Sequence, residues 1–244
     1  MGKIIFGGLG ISKGDISLKL IETAKKCNKI YLETYTSLIP EITKEYLENL
    51  FNKKVFLLER SDLEENSKRI IKEAKEKDIL ILFPGDPFLF TTHHSLYLEA
   101  KKQKIKTEII HGISIYSAAI SSSGLQIYKF GKSTSIPKPT KNYEPESFYN
   151  ILKENLKSNL HTLFILDKDL SGSEGLKILL DIEKKKKEKI IPKKVIIGSC
   201  LGSKNEKVKY GETGKLIKEE FKPPAFIIIP GKLHFIEKEF LKNL

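Results

Sequence analysis

The chain is poor in the residues that build metal and redox sites. It has only two cysteines among its 244 residues, Cys27 and Cys200, and they lie far apart. Among the five histidines, His93 and His94 are adjacent rather than one helical turn apart, and no cysteine or glutamate follows them at ligand spacing. We therefore predict no metal site and two buried free thiols, as is usual in a reducing compartment.

Arginine is also scarce, although the chain is strongly basic with a formal net charge of +12. Arg60 and Arg69 are the only arginines among 43 basic residues. Arginine supplies the planar fork that reads guanine and grips phosphate, so its scarcity argues against direct binding to nucleic acid. The excess of lysine instead predicts attraction to an acidic protein partner.

Long apolar runs and the motifs of hydrolytic enzymes are missing too. No apolar run approaches the roughly 18 residues that cross a bilayer. The first run is interrupted by Lys13 and Asp15, unlike a signal peptide, so we expect a cytoplasmic protein without a membrane partner. There is no Gly-x-Ser-x-Gly elbow, Walker loop or zinc-protease motif, and the chemistry should therefore depend on a bound cofactor.

Short apolar runs alternate with segments of helical period, which predicts a mostly parallel α/β architecture. We expect two αβα-layered domains, 1–112 and 113–244, with a cofactor cleft between them. The predicted strands or extended segments are residues 3–6, 29–34, 54–59, 79–83, 108–110, 130–139, 162–166, 194–199 and 226–229. The predicted helices are residues 15–27, 41–51, 63–75, 93–102, 113–122, 145–156, 174–187, 213–220 and a terminal helix from 234.

The first apolar run leads into a glycine turn, Gly7-Gly8-Leu9-Gly10. A strand, a glycine turn and a helix start suggest a nucleotide-like ligand. The dinucleotide fingerprint, however, needs a third glycine where this chain has Lys13. Glu33 ends the next run and could mimic the acidic ribose ligand of that fold, but a standard nicotinamide or flavin site is not favoured.

Three further turns follow or flank apolar runs, where ligands of open α/β sheets bind. In Pro84-Gly85-Asp86-Pro87, the carboxylate either meets a ligand hydroxyl or ammonium group or forms an Asx-type turn that caps the following Thr91-Thr92-His93 helix. His111-Gly112 precedes a helix of small residues, which suits either a close ligand or simple packing. Pro230-Gly231-Lys232-Leu233-His234 is either a ligand turn or a rigid loop at a helix start.

Together these turns resemble the diphthine synthases, a family of the tetrapyrrole methylase superfamily. The resemblance covers nearly the whole chain. Its motifs are Tyr35-Thr36-Ser37-Leu38, Phe83-Pro84-Gly85-Asp86-Pro87 with Thr91-Thr92-His93, Ser114-Ile115-Tyr116-Ser117-Ala118, Ile127-Tyr128-Lys129-Phe130-Gly131-Lys132-Ser133 and Pro230-Gly231-Lys232-Leu233-His234. The chain departs from the family pattern at 198–202 and at Ala225, where a histidine is common.

The resemblance implies two αβα domains, a homodimer, and S-adenosylmethionine as the cofactor, with S-adenosylhomocysteine as product. It also implies a set of cofactor-binding positions on both domains. These positions are Ile11, Asp86, Leu89, Ser114, Ile115, Leu166, Leu201 and Ala225.

The implied activity is methylation of the amino group of 2-(3-amino-3-carboxypropyl)-histidine on translation elongation factor 2, a step of diphthamide biosynthesis. A sulfonium methyl group is already activated, so no metal is required. The sequence identifies no general base; His111, His234 and Tyr116 are candidates because they lie near the motif turns. Two alternatives stay open: a methyltransferase for corrin or other tetrapyrrole precursors, and a noncatalytic nucleotide-binding module.

Overall fold

A computed structural model describes residues 2–91, 93–141 and 143–244. The chain folds into two compact units, Met1–Ile115 and Tyr116–Leu244. Each unit is built around a five-stranded sheet with helices, so the predicted α/β class is confirmed. Over the described ranges, no helix combines the length and the apolar character that crossing a membrane requires.

The sheet of the first unit has the strand order β3-β2-β4-β1-β5, and every paired neighbour is parallel. Its strands are β1 (Lys3–Gly8), β2 (Lys29–Glu33), β3 (Val55–Leu58), β4 (Ile79–Phe83) and β5 (Lys106–Ile110). The central strands are buried along almost their whole length, because a parallel sheet is covered on both faces. Their continuous apolar runs are therefore what made this sheet predictable.

Helices pack around this sheet, and a 3-10 turn lies at Lys13–Asp15. They are α1 (Leu18–Lys26), α2 (Lys44–Phe51), α3 (Arg60–Glu64), α4 (Lys68–Ala74) and α5 (His94–Lys102). The single helix predicted at 63–75 is wrong, because α3 ends where the carbonyl of Ser61 accepts from the amides of both Glu65 and Asn66. Asn66 and Ser67 favour turns and helix caps over helix interiors, and α4 starts directly after them.

Side chains of β1 alternate between two apolar layers. Ile5 packs with Leu20 of α1 and Leu47 of α2 on one face of the sheet. Ile4 and Phe6 pack on the other face among residues of α3, α4 and α5. Helices thus cover both faces, which leaves the ends of the strands as the accessible edges of the sheet.

The sheet of the second unit has the order β6-β7-β10-β8-β9. Its strands are β6 (Thr134–Ile136), β7 (Thr162–Leu166), β8 (Lys194–Ser199), β9 (Lys207–Glu212) and β10 (Ala225–Ile229). Its helices are α6 (Ile115–Ser123), which begins at the unit boundary, α7 (Ser147–Lys157), α8 (Gly172–Lys185), α9 (Thr213–Leu216) and α10 (Phe235–Leu241). A 3-10 turn at Ile127–Lys129 precedes β6.

The expectation of mostly parallel strands is wrong for this second sheet. Only β6 and β7 pair in parallel, whereas β10 is antiparallel to β7 and to β8, and β8 is antiparallel to β9. The reason is β9, a strand missing from the sequence prediction, which folds back on β8 as a hairpin. Because this hairpin reverses the chain, β10 then runs against β7 and β8.

The core of the second unit lies between this sheet and helices α7 and α8. Phe148 and Leu152 of α7 pack with Leu176 and Leu179 of α8 in one apolar cluster. The cluster also includes the alternate side chains of three neighbouring strands, among them Phe164, Ile197 and Ile227. Side chains on the opposite face of the same strands are fully buried as well: Leu163, Ile196, Phe226 and Ile228.

Candidate functional site

The carboxyl ends of β1 and β4 mark a switch point in the first sheet. The two strands are neighbours, but the chain leaves β1 toward β2 on one side and leaves β4 toward β5 on the other. Open α/β sheets bind their ligands at such points, where two neighbouring strands send their connections in opposite directions. The turns that follow these two strands are therefore the first place to look for a site.

The turns after β1 and β4 are bonded directly to each other. The amide of Gly85 donates to the carbonyl of Gly10 at 2.8 Å, and the amide of Gly10 donates back to the carbonyl of Gly85 at 3.2 Å. The amide of Leu9 also donates to the carbonyl of Phe83 at 2.9 Å. The glycine turn and the Gly85-Asp86 turn thus form one structural unit at the sheet edge.

The turn after β5 meets the same two turns backbone against backbone. A Cβ atom on Gly112 would lie 2.4 Å from the carbonyl oxygen of Gly85 and 2.8 Å from the amide nitrogen of Gly10. A Cβ atom on Gly8 would lie 2.5 Å from that same carbonyl oxygen and 2.6 Å from the amide nitrogen of Gly112. We call Gly8, Gly10, Gly85 and Gly112 the glycine junction, because main-chain contacts at these residues bring the three turns together.

The glycine turn does not offer a phosphate cradle. A carboxylate oxygen of Asp15 accepts from the amide of Ile11 at 3.0 Å and from the amide of Ser12 at 2.8 Å. A phosphate would need these donors at the start of a helix. The Asp15 carboxylate already occupies these two amides, so the structure argues against a dinucleotide site. The presence of Lys13 in place of the third glycine argues the same way.

Glu33, the residue that could mimic an acidic ribose ligand, is engaged in its own loop. It is buried at the end of β2. Its carboxylate accepts from the amides of Tyr35 at 2.5 Å and Thr36 at 2.7 Å, and from the hydroxyl of Thr36. Glu33 therefore stabilises the 34–36 turn, and its contacts give no indication of a nucleotide-binding site.

Asp86 and His111 form a hydrogen-bonded pair across two of the converging turns. His111 Nδ1 lies 2.7 Å from Asp86 Oδ2, and the Asp86 side chain is only 9 % exposed. The other oxygen, Oδ1, accepts from the amide of Phe88 at 3.2 Å, so the predicted Asx-type turn is present. The helix start that Asp86 was expected to cap includes Thr92, which lies outside the described residues; the N-cap residue of α5 is His93.

His93 connects the Thr91-Thr92-His93 motif to the loop after β2. Its ring is buried, with Nε2 3.1 Å from the hydroxyl of Tyr35 and Nδ1 bonded to the hydroxyl of Thr91. Burial lowers the pKa of His93 to about 4, and the ring is therefore neutral at physiological pH. The motif thus has a structural role, because it fixes the position of Tyr35 beside the site.

A small pocket opens beside the glycine junction. It is lined by residues at the carboxyl ends of β1, β2 and β4 and by the loop after β2, among them Leu9, Leu32, Glu33, Leu38, Ile42 and Pro84. Its volume of about 90 Å³ is too small for a nucleoside, since pockets that enclose whole ligands measure about 300–1,000 Å³. The pocket has room for a group the size of a side chain.

The cofactor positions predicted in the first unit lie on the converging turns. Ile11 follows β1, Asp86 and Leu89 follow β4, and Ser114 and Ile115 follow β5. Ser114 is buried, whereas the Leu89 side chain is half exposed. The structure therefore brings residues from three separate stretches of sequence to one edge of one sheet.

The three positions predicted in the second unit also share one edge of their sheet. Leu166 ends β7, Leu201 is the second residue after β8, and Ala225 begins β10, which runs the opposite way. Ala225 pairs with Ser199, and the amide of Cys200 donates to the carbonyl of Pro224 at 2.9 Å. The departures from the family pattern at 198–202 and at Ala225 are thus neighbours in space.

The three candidate bases differ in their surroundings, and His111 is the one with a ring nitrogen bonded to a carboxylate. His234 is the N-cap residue of α10 and its Nδ1 accepts from the amide of Ile236 at 3.4 Å, which is a structural role. Tyr116 lies within the helix of small residues and is half buried. The sequence placed His111 near a motif turn, but its pairing with Asp86 was missed because β1 separates β4 from β5.

Neither cysteine is paired, and both are buried, as predicted. Burial raises the pKa of Cys27 to about 11, so this thiol stays protonated and unreactive. Across residues 2–91, 93–141 and 143–244 there is no group of three histidine, cysteine, aspartate or glutamate side chains able to hold a metal ion.

Comparison with known proteins gives one consistent result. The family model for tetrapyrrole (corrin/porphyrin) methylases matches residues 3–217. A diphthine synthase of Methanocaldococcus jannaschii is 46% identical over 99% of this chain and 98% of its own length. One from Methanococcus vannielii is 44% identical over the same shares of the two chains.

Comparison with solved structures leads to the same family as comparison of the sequences. The chain superposes on a crystal structure of a diphthine synthase with a TM-score of 0.89 and 35% sequence identity, covering 98% of this chain and 94% of that one. The resemblance inferred from the turn motifs is therefore confirmed. The chain belongs to the tetrapyrrole methylase family and, within it, to the diphthine synthases.

Proposed function

We propose that this protein transfers methyl groups from S-adenosylmethionine to the amino group of 2-(3-amino-3-carboxypropyl)-histidine on translation elongation factor 2. S-adenosylhomocysteine is the second product. The observation that carries the proposal is the 46% identity, over nearly the full length of both chains, to a protein named diphthine synthase. Elongation factor 2 works with ribosomes, so the enzyme is proposed to act in the cytoplasm.

The first unit has the chemistry that such a cofactor needs. Asp86 accepts from Phe88 and pairs with His111, and an ionised carboxylate has about four acceptor positions in total, so it can also accept from a ribose hydroxyl or an ammonium group. The glycine junction holds the turns that carry the proposed cofactor positions against one another at one edge of the sheet. Leu89, half exposed in the same turn, offers apolar surface to an adenine ring.

The cofactor, when bound, supplies an already activated methyl group, and no metal is required for its transfer. The task of the protein is to hold the acceptor nitrogen in line and to exclude water. We propose that Ile11, Asp86, Leu89, Ser114 and Ile115 perform the holding in the first unit. The corresponding positions in the second unit, Leu166, Leu201 and Ala225, remain predictions that the resemblance implies.

The charge of the chain supports a protein substrate. The formal net charge is +12, and lysine supplies almost all of the positive charge. Lysine on flexible stems attracts acidic surfaces and speeds diffusional encounter without reading bases. We propose that this excess helps to recruit an acidic surface of elongation factor 2.

We propose further that the protein is a homodimer. In the second unit, α10 exposes Phe235, Ile236 and Phe240, and the neighbouring 3-10 turn exposes Ile127 and Tyr128. The two segments are in contact, because the amide of Gln126 donates to Glu237 of α10 at 2.9 Å. Such an exposed apolar patch is typical of a protein interface and supports association of two copies.

The proposal predicts where a labelled methyl group will go. The protein is incubated with S-adenosylmethionine carrying a deuterated methyl group and with elongation factor 2 bearing the 3-amino-3-carboxypropyl histidine. Mass spectrometry of the peptides should find the label on that amino group. Elongation factor 2 with an unmodified histidine is the control and should stay unlabelled.

Two results would contradict this function, and each would favour one of the alternatives. Label on free corrin precursors with none on elongation factor 2 would indicate a tetrapyrrole methyltransferase. Tight cofactor binding with no transfer to either substrate would indicate a noncatalytic binding module.

Asp86 offers a test of the cofactor site. We expect Asp86→Ala to weaken S-adenosylmethionine binding by about 10- to 100-fold, because a hydrogen bond to a charged group contributes about 1.5–3 kcal/mol. Isothermal titration calorimetry measures the affinity. Asp181→Ala, which removes an exposed carboxylate on α8, is the control and should bind normally. Normal affinity in Asp86→Ala together with lower stability would show that Asp86 only shapes the turn.

A further inference from the structure

We propose that His111, oriented by Asp86, is the base that removes the proton from the substrate ammonium group before each methyl transfer. The inference deepens the proposed function and rests on it. The acceptor amine is protonated at neutral pH and has no free lone pair in that form. Some group must therefore take a proton before the nitrogen can attack.

The pair with Asp86 fixes which ring nitrogen of His111 is available. Asp86 Oδ2 lies 2.7 Å from Nδ1, and an ionised carboxylate only accepts hydrogen bonds. Nδ1 therefore carries the hydrogen and donates it to Asp86. The lone pair is then on Nε2, on the far side of the ring, which is the arrangement of a base held by a carboxylate.

Exposure distinguishes His111 from the other histidines that bond to side chains. His111 is 76% exposed, and in the described ranges no protein group bonds to its Nε2. By contrast, both ring nitrogens of His93 are bonded inside the first unit. Both ring nitrogens of His161 are bonded inside the second, to Glu237 and to the amide of Gly231. Among the histidines of the described residues, only His111 has a ring that is bonded to a carboxylate through one nitrogen and largely exposed.

The position of His111 suits a base that acts beside the proposed cofactor site. It directly follows β5 and its partner follows β4, so the base and the proposed cofactor ligand Asp86 lie on two converging turns of one sheet edge. Ile113 and Leu89, exposed apolar side chains of the same two turns, can help to exclude water once a protein substrate covers the edge.

The step balances as follows. Nε2 of neutral His111 takes a proton from the substrate ammonium group and the ring becomes an imidazolium. The freed lone pair forms the new C–N bond while the methyl C–S bond breaks and its electron pair stays on sulfur, which gives the thioether product. When the methylated product leaves the edge, the ring is exposed again, and the imidazolium releases its proton to water before the next transfer.

Two variants separate a base from a residue that merely holds Asp86. His111→Asn keeps a side-chain N–H close to the position of Nδ1, so it can still bond to Asp86, but it has no base at the position of Nε2. His111→Ala removes both functions and leaves space that added imidazole can fill. His94→Asn is the matched control, since His94 is an exposed histidine of the same unit that packs against Phe88.

We expect both His111 variants to bind S-adenosylmethionine as the wild type does, as measured by calorimetry. The single-turnover rate of methylation should fall by about 100-fold or more in both, within the range for loss of a general base. Added imidazole should restore part of the rate in His111→Ala and change nothing in His111→Asn. His94→Asn should react at the wild-type rate.

A direct observation on the free protein completes the test. Nitrogen-15 NMR of the histidine rings, assigned with His111→Asn, should show His111 with its hydrogen on Nδ1, and Asp86→Asn should disturb this tautomer. A hydrogen on Nε2 would overturn the proposal. So would a wild-type rate in His111→Asn, or cofactor affinity and rate falling together. If the wild type itself does not methylate elongation factor 2, the proposed function fails, and this inference fails with it.

Discussion

Replacing Glu237 by glutamine is expected to lower the free energy of unfolding by about 3–5 kcal/mol, because it breaks a buried ionic network and leaves its partners unpaired. The Glu237 carboxylate is fully buried in α10 and bonds to Lys129 at 2.7 Å and to His161 at 3.1 Å. It also accepts from the amides of Gln126 at 2.9 Å and His234 at 2.6 Å. All four partners are donors, so the NH₂ group of a glutamine would face a donor in place of an acceptor.

The loss should depend on pH in a defined direction. Burial alone would raise the pKa of Glu237, but the hydrogen bonds from Lys129 and from the His234 and Gln126 amides outweigh it and hold the pKa at about 2. A carboxyl whose pKa is lower in the folded state adds stability above its ordinary value of 4.5, and that stability is lost as the pH falls toward 2. The difference between wild type and Glu237→Gln should therefore shrink between about pH 5 and pH 2.

Urea unfolding at several pH values measures both effects. Glu239→Gln is the control on the same helix, because Glu239 and its ion-pair partner Lys242 are both about 70% exposed. Its effect should stay within about 0.5 kcal/mol, the usual range for a surface pair. An equal loss in Glu237→Gln and Glu239→Gln, or a loss that persists unchanged in acid, would contradict the role assigned to the buried network.

Gly112→Ala is expected to cost about 3 kcal/mol of stability, at the upper end of overpacking effects, and to weaken cofactor binding strongly. The new Cβ atom would lie 2.4 Å from the carbonyl oxygen of Gly85. The atoms it meets belong to the backbone, so no side chain can rotate away. The turns after β1, β4 and β5 would have to separate, and with them the positions proposed to hold the cofactor.

A glycine of the same region supplies the control. Gly14 lies in the 3-10 turn after β1, and the nearest atom to a Cβ built there is the hydroxyl of Ser12 at 3.8 Å. Gly14→Ala should therefore be neutral or should stabilise the fold by up to about 1 kcal/mol, because it restricts only the unfolded chain. Chemical unfolding and calorimetric titration with S-adenosylmethionine compare the two variants. Similar results for both would show that the glycine junction is not what holds the turns together.

The first unit was predictable because its central strands are buried on both faces. The strand Ile79–Phe83 consists wholly of apolar residues, and the turn that follows it contains proline and glycine. The second unit was less predictable from the sequence, because Lys207–Glu212 has the composition of a solvated loop and no residue in it is fully buried. Missing that one edge strand was enough to misjudge the direction of β10.

Parts of the site escaped prediction for a different reason. The turns that carry ligand chemistry follow strands, and local sequence marks them well. Which side chains pair across those turns depends on strand order, so neither the bond between His111 and Asp86 nor the one between His161 and Glu237 leaves a local pattern. The two residues of the first bond are 25 residues apart in the chain, and those of the second are 76 residues apart.

The carboxylate of Asp15 in the glycine turn bears on which nucleotide-like ligands the protein would accept. ATP shares the adenosine group of S-adenosylmethionine, and cells hold it in abundance. A triphosphate brought to this edge would meet the negative charge of Asp15 where other nucleotide-binding turns present free amides. We expect the turn to disfavour triphosphates by repulsion, which would help the proposed site to select its methyl donor in the presence of competing nucleotides.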